Sequence, residues 1–484
     1  MILAIDQGTT GTTCLVFDGE GRIAGRAYSE FEQHFPQPGW VEHDAEEIWE
    51  VTRRVGAKAI AAAGIGGADL DAIGITNQRE TVVAWDPSTG RPLHRALVWQ
   101  DRRTAERCEE LRAAGHEALV RERTGLVIDP YFSATKIEWL LRNVEGIERA
   151  VFGTVDSWLL FKLTGRHATD HTNASRTMLF DIHRLAWDGE ICDALGIDPE
   201  CLPEPHPSVH VFGTTGEFGG EVPVAGIAGD QQAALFGQAC LEPGSAKNTY
   251  GTGSFVLLNT GAEPPDPPRG LLATVACGTD DVRAYALEAS IFVTGAAVQW
   301  LRDGLGIVER VGETEALASS LEGNDGVYFV PALTGLGSPH WDPYARGTIV
   351  GLTRGSGRAH LARAALEAIA YQTVDAVRAE EVASGKRLAV LKADGGAVAN
   401  RWLMQFQADV LGAEVVVPEI AETTALGAAY LAGIGTGRWT PERVGTMWRE
   451  ADRYGPEMSE DQRQGLLTGW HRALERAKGG GETS

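Results

Sequence analysis

The sequence predicts an α/β protein built from two related lobes. A short apolar segment, a turn rich in glycine and threonine, and a second β-prone segment follow one another at residues 2–17. The same pattern returns at residues 247–258, roughly half a chain later. A chain of 484 residues is also longer than one hydrophobic core usually serves. We therefore expect two lobes with a cleft between them, with two unrelated hairpins as the alternative reading of the repeat.

Strands and helices alternate in both halves of the chain, as is typical of α/β domains. Turn residues at 6–12 separate two β-prone segments and predict a hairpin. Apolar periodicity predicts helices at 46–63, 135–142 and 360–381, and strands at 72–76, 224–228 and 388–392. The predicted organisation is an N-terminal lobe over 1–238, a C-terminal lobe over 239–440, and a helical extension with a frayed, glycine-rich tail over 441–484.

Composition excludes several classes of protein. Hydrophobic residues make up 43% and charged residues 23% of the chain, the balance of an ordered globular enzyme. The net charge of −23, with no run of Lys or Arg, argues against nucleic-acid binding. The six cysteines lack CxxC or metal-ligand spacing, which favours reduced thiols and a cytoplasmic location. The start, MILAIDQGTT, lacks a basic segment, and no apolar run approaches about 18 residues, so neither secretion nor a membrane span is expected.

Three glycine-rich turns are candidate phosphate-binding elements: DQGTTGTT at Asp6, YGTG at Tyr250 and DGGAVAN at Asp394. Glycine and small hydroxyl residues let the backbone approach an anion closely enough for its N–H groups to converge on the oxygens. None of the three turns is a Walker A loop, because GxxxxGK[ST] is absent. Each turn considered alone is equally consistent with a purely structural role.

Two further positions carry candidate chemistry. Asp230 lies between a strand-like segment, PVAGIAG, and a helical one, QQAALFGQ, which predicts an N-cap at the edge where α/β proteins place catalytic groups. A simple capping role explains the pattern equally well. Arg79 and Glu80 form an adjacent donor and acceptor able to bind neighbouring hydroxyl groups, with a surface ion pair as the alternative. Trp99 and Tyr131 can wall a small pocket, although aromatic residues more often pack in cores.

Together these segments resemble the FGGY family of carbohydrate kinases, and within it the members that phosphorylate glycerol. The match runs in order from about residue 5 to residue 435 and rests on eight motifs in register. These are DQGTT at Asp6, GITNQRET at Gly74, VWQDRRT at Val98, TGLVIDPYFSATK at Thr124, GIAGDQQAALFGQ at Gly226, KNTYGTGSF at Lys247, WDPYARG at Trp341 and DGGAVAN at Asp394.

The resemblance implies a fold, a reaction and a set of site residues. The fold would be two ribonuclease-H-like lobes of the actin and hexokinase type, around a cleft for ATP and substrate. Asp230 would be the catalytic base, and Asp6 would hold Mg²⁺ through water. The implied glycerol-binding residues are Arg79, Glu80, Trp99, Tyr131, Asp230, Gln231 and Phe255. The implied ATP-binding residues are Thr9, Thr10, Gly11, Thr13, Thr252, Gly295, Gln299, Gly396 and Asn400. Family members are often dimers or tetramers, so a homo-oligomer is expected.

Two departures from the family pattern qualify these expectations. Many members continue the first motif with an Arg that reaches the nucleotide phosphates, whereas Thr13 stands there, which puts that contact in doubt. Some members bind a regulatory sugar bisphosphate through an Arg in a glycine-rich loop. The matching residues 214–223 carry Glu217 and Glu221 and no basic residue, so that regulation is expected to be absent.

The sequence leaves two alternative functions open. One is another FGGY kinase acting on xylulose, gluconate or ribulose, which the NQRE segment disfavours. The other is a non-catalytic ATP-binding protein of the actin type, which a complete set of polyol-binding residues around Asp230 disfavours.

Overall fold

Two large mixed sheets form the frame of the molecule. The computed structural model describes residues 1–279 and 282–479, so the end of the predicted tail, residues 480–484, lies outside the described residues. Among the described helices, none combines the length and the apolar character needed to cross a bilayer.

The strands of the first half are β1 (Ile2–Gln7), β2 (Gly11–Phe17), β3 (Ile23–Glu30), β4 (Gln33–His34), β5 (Glu42–His43), β6 (Ala72–Asn77), β7 (Val83–Asp86), β8 (Arg91–Pro92), β9 (Ala96–Leu97), β10 (Val151–Gly153), β11 (Ala168–Asp170), β12 (Phe180–Asp181), β13 (Ala186–Trp187), β14 (Glu204–His206), β15 (Val209–Thr215) and β16 (Val222–Gly229). Its helices are α1 (Ala45–Ala62), α2 (Ala105–Ala113), α3 (Glu117–Thr124), α4 (Ala134–Asn143), α5 (Val155–Thr164), α6 (His171–Ala174), α7 (Gly189–Leu195) and α8 (Asp230–Gly237).

The strands of the second half are β17 (Ala246–Tyr250), β18 (Ser254–Gly261), β19 (Leu272–Val275), β20 (Tyr285–Ile291), β21 (Tyr328–Val330), β22 (Thr348–Val350), β23 (Val390–Gly395), β24 (Glu414–Pro418) and β25 (Glu450–Tyr454). Its helices are α9 (Gly295–Asp303), α10 (Glu313–Ser319), α11 (Arg358–Ser384), α12 (Arg401–Leu411), α13 (Thr423–Gly435), α14 (Pro441–Met447) and α15 (Glu460–Ala477), with a short 3₁₀ turn at Gly396–Ala399.

The two sheets share one topology. The first has the order β15-β16-β6-β1-β2-β3, and the second has the order β19-β20-β18-β17-β23-β24-β25. In each sheet an antiparallel hairpin, β1-β2 or β17-β18, is followed by two parallel pairings, through β6 and β16 or through β23 and β24. Each sheet then ends on an antiparallel strand, β15 or β25. The prediction of two related α/β lobes is therefore confirmed.

The strand β1 shows why the first sheet forms where it does. Its residues Ile2, Leu3, Ala4 and Ile5 are all at most 1% exposed, the continuous apolar run expected of a strand covered on both faces. Leu3 and Ile5 pack with the residues of α1 and α5, whereas Ile2 and Ala4 face α13. The side-chain period of two thus divides one strand between two separate layers of helices.

The helix α13 crosses from the second half of the chain to the first sheet. It falls within the predicted C-terminal lobe, 239–440, yet its residues Ala428 and Tyr430 share a core with Ile2 of β1. Glycine permits the close approach: a Cβ on Gly74 of β6 would lie 2.1 Å from the Ala428 carbonyl oxygen. A Cβ on Gly427 of α13 would lie 1.9 Å from the Ala233 carbonyl oxygen of α8. The C-terminal half therefore supplies the outer layer of the N-terminal sheet.

The segment beyond residue 440 is more than a helical extension. The strand β25 completes the edge of the second sheet by pairing with β24. The helix α15 packs on α11 through Trp470, whose ring lies 5.4 Å from that of Tyr371 and whose Nε1 donates to Asp375 Oδ2 at 2.7 Å. The helix α14 joins the core around α13 through Val444. These contacts fix the end of the described chain to both sheets.

We expect Gly427→Ala to destabilise the protein and Gly465→Ala to stabilise it. The added methyl at Gly427 meets a backbone carbonyl at 1.9 Å, and such overpacking usually costs about 1–3 kcal/mol. At Gly465 in α15 the new methyl meets no atom within 4 Å beyond its chain neighbours and the backbone of its own helix, so we expect only the gain in helix propensity, about 1 kcal/mol. Midpoints of thermal unfolding for both variants and the parent check this, and a Gly427→Ala midpoint at or above that of the parent contradicts it.

Candidate active site

The carboxyl ends of three neighbouring strands meet at one edge of the first sheet. Gln7 of β1 lies beside Asn77 of β6, and Asn77 lies beside Gly229 of β16. Arg79 follows β6 and Asp230 follows β16, so both enter the same space beyond this edge. Functional groups of open α/β sheets gather in such a crevice.

Arg79 is the centre of a buried ion-pair cluster. Its Nη1 donates to Glu288 Oε2 at 2.6 Å and its Nη2 donates to Glu288 Oε1 at 3.2 Å. Glu288 belongs to β20 in the second sheet, so this bidentate pair joins the two lobes. The Arg79 Nε lies 3.1 Å from Asp230 Oδ1, and Nη1 also donates to Gln232 Oε1. With only 3% of Arg79 exposed, its guanidinium direction is fixed by these partners.

A second buried arginine, Arg176, closes the cluster. Its Nε donates to Glu80 Oε1 at 2.7 Å and its Nη2 donates to Glu288 Oε1 at 3.0 Å. Burial alone would raise the pKa of Glu288, but Arg176 and Arg79 lower it to about 2. The carboxylate of Glu288 is therefore ionised throughout the physiological range and holds two cations.

Glu80 is held in an unusual conformation beside that cluster. Its φ of 64° lies in the left-handed region, which costs a non-glycine residue of order 1–3 kcal/mol and persists only where the surroundings impose it. Ser133 Oγ donates to the Glu80 carbonyl at 3.0 Å, and Arg176 binds the carboxylate. Burial raises the pKa of Glu80, although both neighbouring arginines favour its ionised form. The direction of the Glu80 carboxylate is thus set by its backbone conformation and by its pairing with Arg176.

Asp230 occupies a different place from the N-cap that its sequence context predicts. The helix α8 begins at Asp230 itself, Gly229 is the N-cap, and the Gln231 backbone N–H donates to Asp230 Oδ1 at 2.7 Å. The N-cap assignment was therefore wrong by one residue. Burial raises the pKa of Asp230 even though Arg79 and Lys247 favour the carboxylate. Its side chain is 31% exposed, whereas that of Arg79 is 2% exposed, so Asp230 is the member of the pair that an entering molecule can reach.

Three aromatic residues stand around this polar centre. The Trp99 ring lies edge-on to Tyr131 with centroids 5.6 Å apart, and Trp99 Nε1 donates to Thr9 Oγ1 at 2.9 Å. The Arg79 guanidinium lies 5.7 Å from the centroid of the Phe255 ring, on β18 of the second lobe. The Arg176 guanidinium lies 5.7 Å from the centroid of the Tyr131 ring, so the predicted substrate-binding residues form one connected network of contacts.

The predicted nucleotide-binding residues of the first lobe lie on its hairpin turn. Thr9 and Thr10 occupy the turn between β1 and β2, which the Gly8 N–H closes by donating to the Gly11 carbonyl at 3.0 Å. A Cβ on Gly11 would lie 2.7 Å from the Ser29 carbonyl oxygen, so only glycine fits there. Thr13 lies farther along β2, opposite Asp6 of β1.

The corresponding residues of the second lobe gather around the turn between β17 and β18. The Thr294 N–H donates to the Thr252 carbonyl at 3.0 Å, which ties this turn to the start of α9 at Gly295. Gln299 lies about one turn farther along α9 and is exposed. Gly396 follows Gly395, which pairs with Tyr250 at the end of β17. Asn400 caps α12, because its Oδ1 accepts a hydrogen bond from the Leu403 N–H at 2.9 Å. This oxygen is therefore already used in the helix cap.

A buried amide and imidazole network supports the first turn and was not found from the sequence. Gln33 Nε2 donates to the Thr9 carbonyl at 3.1 Å, and Gln78 Nε2 donates to the Gly8 carbonyl at 3.2 Å. His43 Nε2 lies 2.7 Å from Gln33 Oε1, and burial lowers the pKa of His43 to about 4, which keeps its ring neutral. The turn backbone is therefore held by uncharged groups.

Asp6 is the residue whose surroundings fit a bound cation. Burial, together with the nearby carboxylates of Asp230 and Glu422, raises the pKa of Asp6 to about 7. A divalent cation would offset that repulsion. In the described chain no three His, Cys, Asp or Glu side chains cluster to hold a metal. Mg²⁺ is usually bound through one or two carboxylates together with water and substrate phosphates, so a single carboxylate such as that of Asp6 could hold it.

The comparisons with known proteins agree with this geometry. The model of the N-terminal domain of the FGGY family of carbohydrate kinases matches residues 1–237, and the model of its C-terminal domain matches residues 246–436. The chain belongs to the FGGY family of carbohydrate kinases. Like other FGGY proteins it has two lobes, and the expected fold of the actin and hexokinase type is confirmed.

The similarity of this chain to individual FGGY proteins extends to both sequence and structure. Glycerol kinase 2 of Thermotoga maritima is 54% identical over 489 residues, covering 99% of each chain. The crystal structure of Plasmodium falciparum glycerol kinase with ADP superposes with a TM-score of 0.93, at 37% identity and 98% coverage of both chains. A ligand-bound xylulose kinase from Lactobacillus acidophilus gives a TM-score of 0.89 at 21% identity, covering 98% of this chain and 97% of the other, which demonstrates a shared fold alone.

We expect Glu288→Ala to be strongly destabilising. The substitution leaves two buried guanidiniums without their shared carboxylate, and breaking a buried pair in this way typically costs about 3–5 kcal/mol. The matched control is Glu414→Ala, which removes a carboxylate that is 43% exposed and paired with Arg453 at the surface. Such a pair is worth about 0–1 kcal/mol. Thermal unfolding of both variants checks this, and equal shifts in midpoint contradict it.

Proposed function

We propose that this chain transfers the γ-phosphoryl group of ATP to glycerol, forming sn-glycerol 3-phosphate in glycerol catabolism. The observation that carries the proposal is the 54% identity, over 99% of both chains, with a protein named glycerol kinase. The geometry of the cleft supplies what the reaction needs: a reachable carboxylate, fixed hydrogen-bonding groups and glycine-rich turns from both lobes.

The proposed substrate-binding residues are Arg79, Glu80, Trp99, Tyr131, Asp230, Gln231 and Phe255. Glycerol offers little apolar surface, so its selection has to come from polar groups that are left unpaired by a wrong substrate. Arg79 and Glu80 suit this task because each is at most 3% exposed and its direction is fixed. The Trp99 and Phe255 rings would contact the carbon atoms of glycerol.

Asp230 is proposed as the catalytic base. Its carboxylate would orient the attacking hydroxyl and take the proton as the new oxygen–phosphorus bond forms and the bond to ADP breaks. Phosphoryl transfer has a loose transition state, so alignment matters more than a strong base. Arg79 Nε, 3.1 Å from Asp230 Oδ1, would keep the carboxylate in one position.

The nucleotide is proposed to bind between the two hairpin turns, with Mg²⁺ held by Asp6. The contacts would come from Thr9, Thr10, Gly11, Thr13, Thr252, Gly295, Gln299, Gly396 and Asn400. Backbone N–H groups of glycine-rich turns suit phosphate oxygens, because no side chain obstructs the approach. When bound, Mg²⁺ would neutralise charge on the β- and γ-phosphates. A cytoplasmic location, a homo-oligomeric state and the absence of a nucleic-acid partner belong to the same proposal.

The other two candidate functions have less support. The 21% identity to a xylulose kinase extends to the fold and gives no reason to favour a ketose. A non-catalytic ATP-binding protein would have no need of a buried Arg79–Glu288 pair that aims a guanidinium at a reachable Asp230.

The direct test measures ADP release with glycerol, with xylulose and with no added substrate. Glycerol-dependent release, identified by formation of glycerol 3-phosphate, is the expected result. Release with xylulose in preference to glycerol, or release independent of any acceptor, would replace the proposal with one of its two alternatives.

We expect Asp230→Asn to lower turnover at least about 10²-fold while leaving the fold intact, because an amide cannot accept the proton. The matched control is Asp188→Asn, which changes another aspartate at a helix start, outside the cleft. Asp188 Oδ1 accepts from the Ile191 N–H, and asparagine caps about as well as aspartate. Initial rates at saturating glycerol and ATP check this. Comparable turnover in the two variants would reduce Asp230 to a structural residue.

We expect no inhibition by fructose 1,6-bisphosphate. Arg53 and Arg54 of α1 lie beside the loop 214–223, but Arg53 already pairs with Glu50 at 2.9 Å and with Glu217 at 3.4 Å. Arg54 donates to Ser29 Oγ at 3.2 Å. A multiply charged anion therefore meets Arg54, whose described partner is a neutral hydroxyl, together with Arg53, which is already paired, and the carboxylates of Glu50 and Glu217, which repel it. Initial rates at low ionic strength, with ADP as the inhibiting control, check this, and saturable inhibition lost on deleting the loop contradicts it.

A further inference from the structure

The fully buried side chain of Lys247 crosses from the second lobe into the candidate site. Lys247 lies on β17, and its Nζ donates to Gln231 Oε1 on α8 of the first lobe. The same Nζ donates to Thr249 Oγ1 at 2.9 Å and to the Phe255 carbonyl at 3.3 Å. Two of these three partner atoms belong to Gln231 and Phe255, which are proposed substrate-binding residues.

The chemistry of the lysine fixes the orientation of the Gln231 side chain. An ammonium group has donors and no acceptor, so the amide atom facing it has to be the oxygen. The Gln231 NH₂ group then points away from Lys247. Within the described chain that NH₂ group donates to no protein atom, and Gln231 as a whole is only 7% exposed. An amide donor adjacent to Asp230, accessible and without a protein partner in the described chain, is therefore available to an entering ligand.

The charges around Lys247 are consistent with a cation at this place. Burial lowers the pKa of Lys247 to about 8, while the carboxylates of Asp394, Asp230 and Glu288 act in the opposite direction. A charged donor makes hydrogen bonds roughly twice as strong as a neutral one, so the Gln231 amide is held firmly.

We infer that Lys247 is a positioning residue for substrate selection, which holds the Gln231 amide so that its NH₂ group donates to a substrate hydroxyl oxygen. This inference rests on the proposed function, because it takes the cleft beside Asp230 as the polyol site. Lys247 acts through Gln231 and touches no reacting atom.

A neighbouring lysine supplies the comparison that separates positioning from simple structural support. Lys392 of β23 is the register partner of Lys247 in the adjacent strand. Its Nζ donates to the backbone carbonyls of Gln238 and Ala239 and lies 4.1 Å from the Trp448 ring centroid, away from the site residues. Both lysines are largely buried and bridge the same two regions of the chain, but only Lys247 binds a site side chain.

The first experiment compares Lys247→Met with Lys392→Met by steady-state kinetics. Lys247→Met should raise the glycerol KM about 10- to 100-fold, the effect of losing a charge-assisted hydrogen bond, and change the ATP KM less than about 3-fold. Lys392→Met should leave both KM values within about 3-fold. Lys247→Arg, which keeps a charged donor, should recover most of the glycerol affinity. Equal effects on both substrates, or the same behaviour in both Met variants, would overturn the inference.

Three further variants test whether Lys247 acts through Gln231. Gln231→Ala should raise the glycerol KM on its own, and adding Lys247→Met to it should raise KM by no more than about 3-fold further, since coupled residues are not additive. Gln231→Glu keeps an acceptor for Lys247 but removes the amide donor, so it should fold and still lose glycerol affinity. This variant decides the matter if Lys247→Met does not fold, and an unchanged glycerol KM in Gln231→Glu would overturn the inference.

Assays of the parent enzyme distinguish a failure of the proposed function from a failure of the proposed role of Lys247. If it releases no ADP with glycerol, the proposed substrate is wrong, and the same variants are assayed with whichever polyol releases ADP. If the parent is active on glycerol and the Lys247 variants bind it normally, the proposed function stands and the role of Lys247 is wrong.

Discussion

The candidate site depends on one carboxylate, that of Glu288. It comes from the second lobe and binds two arginines of the first, Arg79 at 2.6 Å and Arg176 at 3.0 Å. The two buried guanidiniums repel each other, and Asp230 and Glu80 contact mainly one of them each, so the shared Glu288 carboxylate is what offsets both charges together. The directions of Arg79 and Glu80, and through Arg79 that of Asp230, therefore follow from how the lobes meet.

This arrangement makes the relative position of the lobes part of substrate recognition. Arg79 and Glu80 belong to the first lobe, but Glu288, Lys247 and Phe255 approach from the second. A polyol has no large apolar group to anchor it, so selectivity depends on donors and acceptors standing in fixed places. Groups fixed by buried charge pairs hold such positions with little reorganisation on binding, the condition under which polar contacts contribute most.

Local patterns in the sequence predicted the helices and strands but not the side-chain contacts between distant parts of the chain. The helix expected at 46–63 is α1, Ala45–Ala62, and the strand expected at 72–76 is β6, Ala72–Asn77, because periodicity and turn chemistry are properties of neighbouring residues. Glu288 was missed, since its partner Arg79 is 209 residues away. A lone acidic residue inside the apolar strand β20 was the available signal. Arg176 and Lys247 were missed for the same reason, each being explained by contacts across the fold.

The packing of α13 on the first sheet bears on how the molecule came to have two similar halves. If each half were a self-sufficient unit, a fragment ending at residue 238 would fold alone. In this chain such a fragment would expose Ile2, Ala4, Leu15 and Phe17, which α13 and its neighbours cover. Exposed apolar surface of that kind on an open sheet favours aggregation. The repeated topology has thus become interdependent, and the smallest autonomous folding unit is the pair of halves rather than either one.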